Sequence, residues 1–220
     1  MNTELARFNM IEQQIRPWQV LDPAVLSLLA AVKREDFVPA KHRALAFVDT
    51  QVPLLEAADG PCMLEPKVEA RLLQELRVTH SDRVLEIGSG SGFMAALLAH
   101  RALEVLTVEI LPELVDMARR NLAHAGLSRV RVVEGDGAVQ RPAGGPWDVI
   151  LLSGSVAEVP KTLLQQLKMG GRLAAVVGGL PIMRARLFTR TTETSWSDVD
   201  LFDTVAPRLS GFGEPSRFHF

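Results

Sequence analysis

The sequence predicts an α/β fold built on a Rossmann-like, doubly wound, mostly parallel sheet, and three observations support this prediction. From residue 83 onward, short apolar runs alternate with helical patterns, which is the rhythm of βαβ units. The first run, 83–87, ends at alternating glycines and leads directly into a helical pattern. Two β-like runs near the C-terminus have no helical pattern between them, which predicts an antiparallel hairpin at the sheet edge.

Helices are predicted at the start of the chain. Residues 4–15 form an amphipathic pattern, and a second helix begins at Pro23 behind the N-cap Asp22. The apolar face of the first helix is predicted to carry Phe8, Ile11 and Ile15. The charged run 33–36 is expected to be a solvated surface.

A long irregular segment separates these helices from the sheet. Residues 37–66 contain four prolines, and such a loop inside a compact domain is typically a lid or a binding loop. Pro66 then opens a helix that runs to Leu76. We expect one domain over 1–220, with helices and a substrate loop in 1–80 and a ligand-binding core in 81–220.

The predicted sheet elements follow in order. Parallel strands are expected near 83–87, 104–109, 129–134, 147–152 and 172–178. Helices are expected near 92–101, 111–124 and 160–168, with a loop over 135–146. The hairpin strands are expected at 185–192 and 198–205. Because ligands of such sheets bind outside the carboxyl ends of the strands, the functional residues should follow the strands.

The composition argues against several classes of protein. A formal net charge of −2 without long runs of one sign argues against sequence-independent nucleic-acid binding. Cys62 is the only cysteine, which excludes a disulfide within the chain, and the five histidines lack metal-like spacing. We find no basic-then-apolar leader and no apolar run near the roughly 18 residues of a membrane span. We therefore expect a cytoplasmic protein without a metal site or a membrane partner, and a monomer is favoured.

The strongest functional signal is the run 84–92, which reads VLEIGSGSG. Its acidic-x-G-x-G-x-G pattern is similar to the first motif of S-adenosylmethionine (AdoMet) methyltransferases. It differs from the G-x-G-x-x-G of nicotinamide oxidoreductases, whose third glycine would fall at Phe93. A glycine turn gives the methionyl group of AdoMet room, and Glu86 can help hold its ammonium. The residues predicted to bind AdoMet here are Glu86, Gly88, Ser89, Gly90 and Gly92.

Two further acidic residues fall where successive strands end. Glu109 lies 109 − 88 = 21 residues after Gly88, a spacing at which a carboxylate accepts hydrogen bonds from a ribose diol. Asp136 is placed to accept from an adenine amino group, and Gly137 keeps a side chain out of the path of the ring. Ile110 completes the expected cofactor site. Each of these acids taken alone could instead be a solvated residue at the start of a loop.

Over nearly its whole length, the chain resembles the protein-L-isoaspartate O-methyltransferases. The run 33–39, KREDFVP, looks like the family's P-R-E-x-F-V-P stretch, and 46–49, AFVD, looks like its A-Y-x-D. The family's cofactor motif is matched by 85–93, and its later blocks by 135–137, 147–150 and 166–173. The resemblance implies AdoMet-dependent methylation of the free α-carboxylate of β-linked aspartyl residues in a protein or peptide. Since that carboxylate is ionised at pH 7, the reaction needs alignment and no general base.

The substrate loop departs from the family pattern. The run 60–66, GPCMLEP, stands where the family has G-Q-T-I-S-x-P, so that Leu64 replaces the serine that meets the substrate carboxylate. Glu65 adds a negative charge that opposes an anion. The departure predicts weak or absent isoaspartyl methylation, although backbone amides of Cys62, Met63 and Leu64 could still hold a carboxylate. A different substrate and a catalytically silent AdoMet-binding protein are the alternatives.

Overall fold

The computed structural model describes residues 2–57, 60–140 and 142–214, and a seven-stranded sheet forms its centre. The strands in chain order are β1 (Val52–Pro53), β2 (Cys62–Met63), β3 (Arg83–Ile87), β4 (Glu104–Glu109), β5 (Arg131–Glu134), β6 (Trp147–Val156), β7 (Leu167–Gly179), β8 (Ile182–Arg190) and β9 (Trp196–Thr204). The central sheet has the order β5-β4-β3-β6-β7-β8-β9, parallel up to β7 and antiparallel beyond it. The predicted fold class is confirmed.

Helices cover the sheet. They are α1 (Thr3–Met10), α2 (Pro23–Ala31), α3 (Pro66–Leu76), α4 (Phe93–Ala99), α5 (Pro112–His124) and α6 (Lys161–Leu164). A π-helical segment, Ile11–Ile15, continues α1, and 3₁₀ turns cover Arg34–Asp36 and Ala40–Leu45. Within the described residues, every helix is too short or too polar to cross a membrane.

Strand β3 is an interior strand of the sheet, and its two faces contact different hydrophobic cores. Val84 packs into the core that also holds residues of α1 to α5, while Leu85 and Ile87 pack into the core that holds α6. The chain leaves β3 for β4 on one side and later adds β6 on the other. The strand order therefore reverses at β3, and ligands of doubly wound sheets bind at this point.

The predicted helix over 160–168 is wrong in its second half. Helix α6 ends at Leu164, and β7 already begins at Leu167, five residues before the predicted strand. The Trp147 amide donates to the Gln166 carbonyl at 2.8 Å, and Leu167 pairs with Trp147 across the sheet. The pairing with β6 thus makes the segment from Leu167 onward a strand, where the sequence predicts helix up to residue 168.

The expectation of a solvated charged run at 33–36 is wrong for its two middle residues, while Lys33 is exposed as expected. Arg34 is 1% exposed and forms an ion pair with Glu69 of α3, while the buried Glu35 pairs with Arg7 of α1. Buried charges are tolerated when an opposite charge meets them, and here two helices supply one partner each. Phe8, which was predicted to face the core, is instead 60% exposed.

Candidate active site

A cleft opens at the carboxyl ends of β3, β4 and β6. It encloses about 920 Å³, including the part that is open to solvent. Its walls are the turn that follows β3, the end of β4, the substrate loop around β2 and the segment that follows β9. Residues predicted from the sequence that line it are Cys62, Met63, Leu64, Glu86, Gly88, Ser89, Gly90, Glu109, Ile110 and Gly137. The predicted cofactor and substrate residues therefore meet in one cleft, apart from Gly92 and Asp136.

The turn after β3 depends on glycine. Gly88 has a φ of +92° and Gly92 a φ of +84°, a region that residues with a Cβ rarely adopt. A Cβ added at Gly92 would come within 3.3 Å of the Ala118 backbone on α5. Gly92 therefore acts by letting α4 begin close to α5. The Ser89 hydroxyl is hydrogen-bonded to the Thr107 hydroxyl at 2.6 Å.

Glu86 is fully buried at the floor of the cleft. Its two carboxylate oxygens accept hydrogen bonds from the hydroxyls of Thr107 and Ser153, both at 2.7 Å. Burial raises the pKa of Glu86 to about 8, although both hydroxyls lower it. The carboxyl is thus fixed in orientation and largely protonated at neutral pH, and a cation bound beside it would favour the ionised form.

Glu109 is held by backbone amides at the end of β4. Its Oε1 accepts from the amides of Ile110 and Leu111 at 2.9 and 3.1 Å, and its Oε2 accepts from Gly90 at 2.9 Å. A carboxylate oxygen has two lone-pair directions, so Oε2 keeps one for a ligand. Glu109 therefore ties the glycine turn to β4 and presents an acceptor to the cleft. Ile110 contributes its backbone amide, which donates to Glu109, and an apolar side chain that lines the cleft.

Asp136 and Gly137 follow β5 at the edge of the cleft, which Gly137 lines and Asp136 does not. The Asp136 carboxylate accepts from the Ala138 amide at 2.9 Å and faces Gly211, where a Cβ would overlap it. Gly137 lines the cleft, but a Cβ added there would overlap the side chain of Ile87. Gly137 thus allows this loop to pack closely on β3, in addition to any room that it leaves for an adenine ring.

The substrate loop is a short hairpin in which Val52 pairs with Met63 and Pro53 with Cys62. Met63 and Leu64 are buried against the cleft. The Cys62 thiol donates to the Gln51 side chain at 3.3 Å, and burial, with Glu65 and Glu69 nearby, raises its pKa to about 12. Cys62 is therefore a protonated structural group and not a nucleophile.

Sequence reasoning missed Arg34, which positions this loop. Its Nη2 donates to the Leu64 carbonyl at 2.8 Å, while Nη1 pairs with Glu69 at the cleft wall. Its guanidinium carbon lies 5.0 Å from the centre of the Phe93 ring at the start of α4. The loop, α3 and α4 are thus joined through one buried cation. The P-R-E-x-F-V-P resemblance marked this residue, but nothing local indicated that it is buried.

Sequence reasoning also missed the segment 205–212, which follows β9 and crosses the end of β6. The Ser155 amide donates to the Pro207 carbonyl at 2.7 Å, and the Leu209 amide donates to the Ser155 carbonyl at 2.9 Å. The Leu209 side chain lies 2.8 Å from where a Cβ would stand on Gly88 or on Gly154. These two glycines therefore let the segment lie close over the floor of the cleft. Its irregular sequence carries no periodicity that could have revealed this placement.

Comparisons with known proteins agree with the resemblance. A model of the family described as protein-L-isoaspartate(D-aspartate) O-methyltransferase matches residues 6–199. The chain belongs to this family. A protein-L-isoaspartate O-methyltransferase of Methanoculleus marisnigri is 41% identical over 172 residues, which cover 78% of this chain and 77% of that protein. One of Marinobacter nauticus is 39% identical over 208 residues, which cover 94% of both chains.

Solved structures share the fold of this family member. A protein-L-isoaspartate O-methyltransferase superposes with a TM-score of 0.81 at 24% identity over 93% of this chain, which spans 66% of that protein. A Plasmodium falciparum structure described as a β-aspartate methyltransferase in complex with S-adenosyl-L-homocysteine gives a TM-score of 0.76 at 18% identity. The match covers 96% of this chain and 99% of that protein. The cofactor of the family is AdoMet, as the glycine turn predicted.

Proposed function

We propose that this chain transfers a methyl group from AdoMet to the α-carboxylate of L-isoaspartyl residues in a protein or peptide. The observation that carries the proposal is the convergence of Glu86, the glycine turn and Glu109 on one cleft that the substrate loop closes from the other side. The names of the relatives support the substrate. The expected single domain, cytoplasmic location, monomeric state and lack of a nucleic-acid partner stay predictions from the sequence.

The residues of the cleft fit AdoMet. Glu86 offers a buried carboxyl to an ammonium, and Glu109 offers an oriented acceptor to ribose hydroxyls. Val108, Ile110 and Leu114 add an apolar wall suited to a flat base. When bound, AdoMet supplies a methyl group on an electron-poor sulfonium. The chain's own part is to fix the cofactor and to hold the acceptor carboxylate in line with that methyl.

The cleft is suited to a reaction without a general base. No histidine lines it among the described residues, and the Cys62 thiol stays protonated because its pKa is raised to about 12. The substrate carboxylate is already ionised at neutral pH and needs no proton removed. The buried Met63 and Leu64 add an apolar wall on the side of the substrate loop. Catalysis therefore rests on positioning.

Methyl transfer to a synthetic peptide tests the proposal. We expect labelled AdoMet to mark a peptide that contains one L-isoaspartyl residue and to leave the aspartyl isomer of the same sequence unmarked. A protein that binds AdoMet in a parallel titration but methylates neither peptide would contradict the proposed substrate. That result would support the alternative of a catalytically silent AdoMet-binding protein, which the replacement of the family's serine by Leu64 suggests. The expectation of weak transfer, which also rests on Leu64, is tested by the rate in the same assay.

A further inference from the structure

We propose that Arg208 binds the carboxylate of the methyl-accepting substrate. Leu64 cannot donate a hydrogen bond to this carboxylate, because it has no hydroxyl where the family has a serine. The inference rests on the proposed function and names the side chain that selects a carboxylate. Arg208 lies in the segment that crosses the cleft, beyond residues 6–199 that the family model matches.

Arg208 is the only cationic side chain among the described residues that line the cleft. The other charged residues of its wall are Glu69, Glu86 and Glu109, and Leu64 is apolar. Glu69 is already paired with Arg34, and no other cation lines the described part of the cleft, so Arg208 is the side chain there that can attract a substrate carboxylate. A guanidinium suits this purpose because its planar fork of N–H donors matches a carboxylate.

The backbone of Arg208 is fixed against the floor of the cleft. Arg208 forms an isolated parallel bridge with Ser155, and its neighbours Pro207 and Leu209 both hydrogen-bond to the Ser155 backbone. Two residues earlier on β6, the Ser153 hydroxyl donates to Glu86. The arginine is therefore anchored close to the cofactor side of the site, where the acceptor oxygen must be aligned.

The head group of Arg208 is held by partners that a carboxylate can replace. Nε pairs with Glu214 Oε1 at 2.7 Å, and Nη1 donates to the Ser155 hydroxyl at 3.4 Å. The Glu214 side chain is 60% exposed, and exposed ion pairs of this kind are weak. Because this pair is weak, a substrate carboxylate can replace Glu214 at the guanidinium.

A second, open groove meets the cleft at Arg208 and provides room for a peptide. Its wall is mostly apolar and includes Gly178, Gly179, Leu180, Met183, Val205 and Pro207. The Gln51 side chain donates to the Val205 carbonyl at 2.8 Å and lies 3.3 Å from Glu65, which ties the substrate loop to this side. A peptide whose carboxylate meets Arg208 can therefore extend along the groove, away from the cofactor.

The chemistry gives Arg208 a distinctive kinetic signature. The substrate carboxylate carries a full negative charge on binding and loses it as the neutral ester forms. A guanidinium that contacts it stabilises the bound substrate and an early transition state, which keeps most of that charge, about equally. Arg208 should therefore set KM and leave kcat nearly unchanged, and its contribution should weaken as salt screens the charges.

Four variants test the inference with the isoaspartyl peptide. We expect Arg208→Gln to raise KM about tenfold or more, with kcat within about twofold and unchanged S-adenosylhomocysteine affinity, and Arg208→Lys to recover part of the loss. Glu214→Gln removes the competing carboxylate and should lower KM. Arg184→Gln is the matched control, because Arg184 forms exposed ion pairs with Asp200 and Asp203 on the edge strands. Its KM should equal that of the wild type.

An unchanged KM in Arg208→Gln, or a fall in kcat alone, would overturn the inference. If the wild type does not methylate the peptide at all, the proposed function fails separately. Calorimetric titration of the peptide into protein loaded with S-adenosylhomocysteine then decides the role of Arg208. Binding that weakens about tenfold in Arg208→Gln supports the assignment, whereas equal binding, or none, contradicts it.

Discussion

The Ser153 hydroxyl on β6 donates to the Glu86 carboxylate on β3 at 2.7 Å, across the two strands between which the sheet order reverses. The Thr107 hydroxyl on β4 donates to the other oxygen of the same carboxylate. Three neighbouring strands thus fix one buried acid at the floor of the cleft. This bond gives Ser153 a specific role in orienting the acid.

Removal of the Ser153 hydroxyl should weaken cofactor binding. Ser153→Ala leaves one oxygen of Glu86 without its donor, which disfavours the ionised form that pairs with an ammonium. We expect the affinity for S-adenosylhomocysteine at pH 7 to fall about tenfold in titration calorimetry, in keeping with about 1–2 kcal/mol for such a bond. Ser197→Ala, at an exposed position on β9, is the control and should bind as the wild type does. Equal affinities in all three proteins would contradict the role of Ser153.

The raised pKa of Glu86 predicts a pH-dependent stability of the ligand-free protein. Its folded pKa of about 8 exceeds the ordinary 4.5, so the folded chain binds the proton more tightly than the unfolded chain. The stability that Glu86 contributes is therefore complete below pH 4.5 and is lost as the pH rises through about 8. Urea midpoints of the wild type and Glu86→Gln should accordingly diverge in favour of the variant between pH 5 and 8. A pH-independent difference between the two would count against a buried, protonated Glu86.

Arg34 should be important for stability, because Glu69 would be left as a buried charge without it. Loss of one partner of a buried ion pair costs about 3–5 kcal/mol, so Arg34→Met should lower the free energy of unfolding by roughly that amount. Arg34→Met combined with Glu69→Leu removes both charges and should regain most of it. If urea denaturation shows Arg34→Met to be as stable as the wild type, the pair is not buried as described.

Gly137→Ala separates a packing role of this glycine from a ligand role. The added methyl group would overlap the Ile87 side chain, so we expect a loss of about 1–3 kcal/mol of stability even without ligand. Ile87→Ala makes room for the added methyl group. Gly137→Ala should therefore cost less stability in the Ile87→Ala protein than in the wild type. A Gly137→Ala protein of normal stability that binds S-adenosylhomocysteine poorly would instead support the expected role of leaving space for the adenine ring.

The parallel core and the glycine turn could be predicted because their signals are local. The run 83–87 places apolar side chains on both faces of the strand, and the glycines at 88 and 92 adopt backbone angles that glycine alone tolerates easily. The convergence of Glu86 and Glu109 follows from a general rule for parallel sheets, namely that their strand ends share an edge. These parts of the account needed no knowledge of distant contacts.

The remaining features depend on partners that are far away in the sequence. Arg34 and Glu35 look like surface charges until Glu69 and Arg7 are placed beside them. Strand β7 begins early because Leu167 pairs with Trp147, twenty residues before it. The segment that holds Arg208 has no pattern of its own and takes its shape from hydrogen bonds to Ser155. Tertiary partners decide such elements, and local propensity does not.

A crystal structure of the protein with S-adenosylhomocysteine is the most direct test of the central claim. The account predicts the nucleoside in the cleft at the ends of β3 and β4, with ribose hydroxyls on Glu109 and the ammonium near Glu86. A ligand bound elsewhere on the surface, or a cleft that stays empty at saturating ligand, would contradict the claim that this cleft holds the methyl donor.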